Sequence, residues 1–177
     1  MKINAKDIQK LREKTSAGVM DCKKALTQAK GDFEKAIEVL REQGIALAKK
    51  KAARTASEGR IEAYVHMHNR IGVLVEMNCE TDFVAKCDDF KHLCKDVAMQ
   101  IAALNPRYIK KEDVPKEIAQ ENKSRLEEFC KENCLLEQAF IKDQAKTMKD
   151  YLTEVIAKIG ENIVIRRFIR FQLGEES

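Results

Sequence analysis

Four side chains that bind soft metals fall close together in this chain: Cys79, Cys87, His92 and Cys94. Thiolate and imidazole are the usual donors of structural zinc sites, which space their ligands in tight pairs. These spacings match no such knuckle, and Cys94 falls on the apolar stripe of the helix expected around it. Ordinary thiols are the better reading. His66 and His68 share one face of an expected strand and would present two imidazoles to a metal, but a solvated sheet face accounts for them as well. Lys49, Lys50 and Lys51 with Arg54 could meet phosphates, yet no aromatic residues are interleaved to stack on bases. Residues 78–86, NCETDFVAK, are odder still. They set the carboxylate of Asp82 beside the phenyl ring of Phe83, just past an apolar alternating run. On pattern alone, Phe83 is either a plug for the local core or a probe meant for another molecule.

The usual catalytic cradles are missing. There is no GxxxxGK[ST] loop, no GxGxxG after a strand, no GxSxG, no HExxH and no paired CxxC. No catalytic residue, metal site or cofactor is therefore expected. A net charge of +4 in 177 residues is too small to argue for nucleic acid by itself. The opening MKINAKDIQK has no apolar h-region, and nowhere do about 18 apolar residues run together, which predicts neither a secretory signal nor a membrane span. Without a secretory signal the six cysteines read as reduced thiols, and the expected setting is the cytoplasm. A chain of this length buries about 70% of its extended surface on folding, so its core needs no staples.

The elements that position these residues follow from periodicity. Ile8 and Leu11 predict a first helix. Cys22, Ala25, Leu26 and Ala29 predict a second that stops at Gly31. Asp32 caps a third, striped by Phe33, Ala36, Ile37 and Leu40 and ending at Gly44. Gly18, between the first two, is placed to take a positive φ. Residues 1–44 thus form a three-helix module, and the Ala- and Lys-rich stretch 45–59 reads as a helical start that frays into a mobile linker.

From residue 60 to 177 the pattern is α+β. The period changes to two at Ile61, Ala63, Val65 and Met67, then at Ile71, Val73, Val75, Met77 and Cys79, predicting a hairpin whose odd positions share one covered face. Asp88 is placed to cap a helix striped by Phe90, Leu93, Cys94, Val97, Ile101 and Leu104. A more polar, exposed helix follows Pro115 and carries Cys130 and Cys134 one turn apart, the first candidates for a link between chains. LLEQAFIKD reads as an irregular connector. Met148, Tyr151, Leu152, Val155, Ile156 and Ile159 stripe a last helix that stops at Gly160. NIVIRRFIRFQL predicts a third strand with both faces partly apolar, as if the sheet's outer face met something.

Three stretches in register, LREKTSAGVMDCKKAL (11–26), GVLVEMNCETDFVA (72–85) and IGENIVIRRF (159–168), are similar to signatures of the elongation factor Ts family. The resemblance runs nearly end to end. It implies a guanine nucleotide exchange factor for the translational GTPase elongation factor Tu, acting by binding and not as an enzyme. It implies a three-helix module like ubiquitin-associated domains, linked to a core with a three-stranded antiparallel sheet packed by helices. It assigns Asp82 and Phe83, with Thr81 and Val84 shaping their loop, to the partner's magnesium and nucleotide site. Val19, Met20 and Lys23 are assigned to a second contact with the partner. Longer members carry a duplicated core and a coiled-coil insertion. This chain resembles the short form, which implies a homodimer through the sheet, with no nucleotide, nucleic acid or membrane bound directly. One departure is local: the family has Thr-Gly-Ala-Gly where this chain has Thr15-Ser16-Ala17-Gly18. Two rival readings make other demands: an RNA adaptor using Lys23, Lys24 and the 49–54 cluster, and a zinc enzyme built on the Cys/His cluster.

Overall fold

A computed structural model describes residues 3–15 and 17–175, the side chain of Met67 apart. The turn at Ser16 lies outside the described residues. The chain divides into two compact units, Met1–Arg54 with Thr153–Asn162, and Thr55–Leu152 with Ile163–Ser177.

In the first unit, helices α1 (Ala5–Thr15), α2 (Val19–Gln28) and α3 (Phe33–Lys51) close on Leu11, Cys22, Ala25, Leu26, Ala29 and Ala36. Their starts and stops are local chemistry. Asn4 Oδ1 accepts from Asp7 N at 2.8 Å, and Asp32 Oδ1 accepts from Lys35 N at 3.1 Å, each satisfying one of the orphan donors of a helix start. Gly31, at φ +87°, donates its N–H to the Leu26 carbonyl and ends α2. Gly18 departs from expectation. Its φ is −61° and it is the extended residue before α2, so Gly18 itself takes no left-handed conformation. Gly44 does not stop α3 either. It is buried inside the helix, where an added β-carbon would lie 3.6 Å from Ala157 Cβ and 3.9 Å from Thr153 Cγ2. The helix runs on to Lys51, whose ammonium bonds the Gly160 carbonyl, while Asn162 Nδ2 donates to the Arg54 carbonyl at 2.8 Å.

The second unit is built on a sheet. Strands β1 (Glu58–Val65) and β2 (Ile71–Cys79) form the expected hairpin, turning through His68 and Asn69 at positive φ. Then come the short helix α4 (Asp82–Lys86), α5 (Asp88–Leu104), α6 (Lys116–Glu121) and α7 (Leu126–Asn133). A small pair, β3 (Ala139–Phe140) and β4 (Asp143–Thr147), precedes α8 (Met148–Ile159), whose residues from Thr153 on belong to the first unit, and β5 (Ile163–Gln172). The three-stranded sheet is antiparallel in the order β1-β2-β5, as an α+β fold requires. Helix α5 packs on it with Phe90, Leu93, Cys94, Val97 and Ile101 fully buried over Val75, Met77 and Cys79.

Three expectations for this unit are corrected. In β1 the odd residues face outward: Ile61 is 66% exposed, and Ala63 and Val65 are exposed too. Pairing sets this, because Arg60 lies opposite Met77, Glu62 opposite Val75 and Tyr64 opposite Val73. Both runs alternate, but only the turn length fixes which parity of β1 joins the buried parity of β2. An ion pair, Arg60 Nη2 to Glu62 Oε2 at 2.8 Å, offsets part of the inward cost, while Arg60 Nε is buried without a hydrogen-bond partner among the described residues. Next, Asp88 is the first residue of α5, not its cap. Cys87 holds the cap position without a side-chain bond. Asp88 still favours the helix start electrostatically.

Third, Cys130 and Cys134 are buried beside Val114, not exposed. Burial, with the neighbouring Cys130, pushes the Cys134 thiol up to about 12, and none of the six cysteines forms a disulfide. Cys87 is half-buried and the other five are buried. About one thiol per native chain is therefore expected to react rapidly with an aromatic disulfide reagent, and all six in denaturant. Fast modification of Cys130 or Cys134 in the native protein, located by peptide mass, would contradict their placement.

The stretch 135–143 is less irregular than its sequence suggests. Gln100 Nε2 donates to Gln138 Oε1 at 3.2 Å and to the Ala139 carbonyl at 3.0 Å, while Gln100 Oε1 accepts from Ile141 N at 3.0 Å. Both glutamines are fully buried. Ring stacking of Phe140 on Tyr151 and the buried carboxylate of Asp96, bonded to Lys142 and Tyr151, complete the attachment.

Candidate functional site

The residues around Phe83 form a single helical turn with a hard base. Thr81 is extended, and its Oγ1 accepts from Val84 N at 3.3 Å, capping α4. Its carbonyl accepts from Ala85 N at 3.2 Å and also from the buried thiol of Cys79 at 3.2 Å. The turn is thus tied to the end of β2 from below. Val84 and Ala85 are half-buried and face the body of the unit, where α4 packs on β1 and β2. Cys87 returns to extended backbone, so α5 starts in a new direction and α4 stands as a separate corner.

Three side chains point outward from that corner. Phe83 is 85% exposed. It plugs no junction, which disposes of the core reading left open by pattern alone. Fully burying such a ring is worth about 1.5–3 kcal/mol, and folding leaves that quantity unused. Asp82 and Lys86, one turn apart, form an ion pair at 2.7 Å. The hydrogen bond from Lys86, and then its charge, hold the Asp82 carboxyl below the usual carboxylate range. The same bond, with a smaller pull from Glu58, raises the Lys86 ammonium.

A second exposed patch lies on α2 in the first unit. Cys22, Ala25 and Leu26 turn inward, which leaves Val19, Met20 and Lys23 outward. Met20, 60% exposed, lines a shallow groove with Lys23, Lys24, Thr27 and Gln28. The i, i+3, i+4, i+7 spacing of one helix face generates it.

A third patch is the outer face of the sheet. Ile61, Val65, Leu74, Ile169 and Phe171 are all exposed there. The mixed pattern of β5 has a mechanical cause. Glu76 pairs with Arg167 and Met77 with Ile165, so Arg166 is an extra residue, a β-bulge. Before it, Ile163 and Ile165 face inward; after it, Phe168 and Arg170 do. Ile169 and Phe171 are thereby turned outward beside Leu74 and Gly72.

Cys79, Cys87, His92 and Cys94 are not gathered into a ligand set. Among the described residues no group of three or more His, Cys, Asp or Glu is placed to hold a metal, and no described helix is long and apolar enough to cross a membrane. The sequence reading missed Lys86, although its i, i+4 spacing from Asp82 is a known helix signal. It also missed the thiol bond from Cys79, for which the sequence holds no signal.

Comparison with known proteins identifies the family. The family profile described as Elongation factor TS matches residues 2–127 and 123–175. An Elongation factor Ts from Caldanaerobacter subterraneus subsp. tengcongensis is 55% identical, covering 98% of this chain and 98% of the relative. Those of Thermoanaerobacter sp. strain X514 and Carboxydothermus hydrogenoformans are 54% and 55% identical over 98% of this chain, with 96% and 90% of their own lengths covered. With the profile covering the chain almost end to end and relatives matched over nearly their whole lengths, this chain belongs to the elongation factor Ts family.

Proposed function

We propose that this chain is a guanine nucleotide exchange factor that binds elongation factor Tu, displaces GDP with its magnesium and permits reloading with GTP, in the cytoplasm. The observation that carries this reading is the exposed Phe83 on a capped, tethered turn beside Asp82. A ring held out at a cost in solvation, on a corner too short and too well tied to wander, is suited to enter another protein's site. The mechanism asks for no catalytic residue. A factor that prefers the nucleotide-free GTPase must weaken nucleotide binding by the same ratio. A thousandfold ratio is about 4 kcal/mol. The phenyl ring would supply about 1.5–3 kcal/mol of it, and interference with the magnesium ligands the remainder. Thr81 and Val84 hold the turn, while Asp82 and Phe83 do the displacing.

Val19, Met20 and Lys23 on α2 serve as the second contact in this reading. They would bind loaded and empty GTPase alike. Met20→Asp is accordingly expected to weaken the complex about tenfold or more with either form, with thermal stability unchanged because Met20 is exposed. Isothermal titration against GDP-loaded and nucleotide-free elongation factor Tu checks this, and unchanged affinity would remove α2 from the interface.

The open sheet face is assigned to a second copy of the chain. Its apolar residues on three adjacent strands form one continuous surface, and a two-fold contact buries the same patch on both copies. Phe171→Glu is expected to convert the dimer to monomer in sedimentation velocity, with secondary structure retained. A dimer of undiminished affinity would place the contact elsewhere. The exchange reading itself is tested by mixing the protein with elongation factor Tu loaded with a fluorescent GDP analogue and following release. No acceleration would overturn it.

A further inference from the structure

The reading above uses two of the three side chains that point outward from α4. Lys86 is the third. Its ammonium lies 2.7 Å from Asp82 Oδ2, in the favourable order with the carboxylate on the N-terminal side. Both side chains are largely exposed, 65% for Asp82 and 76% for Lys86, so the pair adds little to folding. What it does set is the charge and aim of the corner. With Lys86 present the Asp82 carboxylate beside Phe83 is in contact with a cation, and Glu58 acts more weakly on the same ammonium. Without it the corner presents a bare carboxylate.

Resting on the exchange-factor reading, we infer that Lys86 is a positioning residue: it orients and neutralises Asp82 so that the corner can approach a site still filled by a nucleoside diphosphate. Even with its magnesium the diphosphate keeps a net negative charge, and an unpaired carboxylate carried toward its phosphates is repelled. After the nucleotide has left, that repulsion is gone. Lys86 therefore matters for meeting the loaded GTPase and little for holding the empty one. The bonds that build the turn, from Val84 N to Thr81 Oγ1 and from Cys79 Sγ to the Thr81 carbonyl, do not involve the Lys86 side chain. A merely structural lysine would affect both encounters equally.

The test is stopped-flow association of the full chain with elongation factor Tu, loaded with fluorescent GDP or stripped of nucleotide, for wild type, Lys86→Gln, Lys86→Arg, Asp82→Asn and the Lys86→Gln/Asp82→Asn pair. Lys86→Gln is expected to slow association with the loaded form about 3- to 10-fold, as one unbalanced charge near a diphosphate in a partly aqueous interface would. Association with the stripped form should change less than about twofold, within the reach of a surface substitution. Lys86→Arg should restore the rate, and Lys86→Gln should add nothing once Asp82→Asn is in place. An equal loss for both forms, an unchanged loaded-form rate, or a loss from Lys86→Gln that persists alongside Asp82→Asn overturns the inference. If wild type itself fails to accelerate GDP release, the exchange reading falls with it. Acceleration by wild type without the variant pattern removes only the role given to Lys86.

Discussion

Phe83→Ala is expected to slow catalysed GDP release about 10- to 100-fold at fixed factor concentration, the kinetic equivalent of losing one buried phenyl ring. The protein itself should not notice. Phe83 is 85% exposed, so its removal opens no cavity and leaves thermal stability within about 0.5 kcal/mol of wild type. That combination, large in function and silent in folding, separates a probe from a core residue. The loss should also be selective. Affinity for nucleotide-free elongation factor Tu should fall, while affinity for the GDP-loaded form falls less, because the ring's work is the difference between the two states. Phe83→Leu, which keeps apolar volume but not the flat ring, should land between wild type and alanine. Release rates for Phe83→Ala equal to wild type would take the ring out of the mechanism, whatever α2 contributes.

Gly59→Ala is expected to be strongly destabilising, costing about 3 kcal/mol or more. Gly59 sits near the start of β1 opposite Asn78 at φ +148°, a conformation that side-chain-bearing residues rarely adopt. A β-carbon there would lie 2.0 Å from the Met77 carbonyl oxygen and 2.8 Å from Asn78 Cα. Both obstacles are backbone, so no rotamer change relieves them. Either the β1–β2 ladder opens at that end or the strand shifts. Because β2 leads through Cys79 to Thr81, the shift would also disturb the base of α4 and depress exchange. Gly72→Ala is the control. Nothing lies within 4 Å of its added carbon, and it should stay within about 1 kcal/mol of wild type, with a small gain where the unfolded chain is stiffened. Urea midpoints for the two variants decide the matter. A Gly59→Ala chain that unfolds at the wild-type midpoint would mean that the backbone contact is not as tight as it stands.

Gly59 also marks the limit of what composition discloses. It closes an Ala- and Lys-rich stretch that reads as a connection, whereas its requirement is steric and comes from the neighbouring strand of the hairpin. The helices of the first unit were legible because their caps are local: Asp32 must accept from its own first turn, and Gly31 must end the helix beside it. The alternation of β2 was legible because one face is buried along nearly its whole length. That of β1 misled, because register is settled by the partner strand and the turn. The pair β3–β4 escaped notice since two and five residues are too few to show a period, and it is held by Gln100 from far along the chain. At the candidate site, residue types pointed to Asp82 and Phe83, but the exposure that separates probe from plug is a property of the whole unit.

The bulge at Arg166 divides β5 into two stretches with opposite assignments. In the first, Ile163 and Ile165 go to the interior. In the second, Ile169 and Phe171 go to the open face, while Phe168 and Arg170 take the inward places. A strand without the bulge would bind both duties to one parity, so that every substitution in its apolar set would touch folding. Split in this way, the two duties are inherited separately. If the open face binds a second copy as proposed, a lineage could strengthen, weaken or abandon that contact through positions 169 and 171 while Ile163 and Ile165 continue to fill the interior. One unopposed arginine would thus give the self-association proposed for this face an evolutionary path of its own.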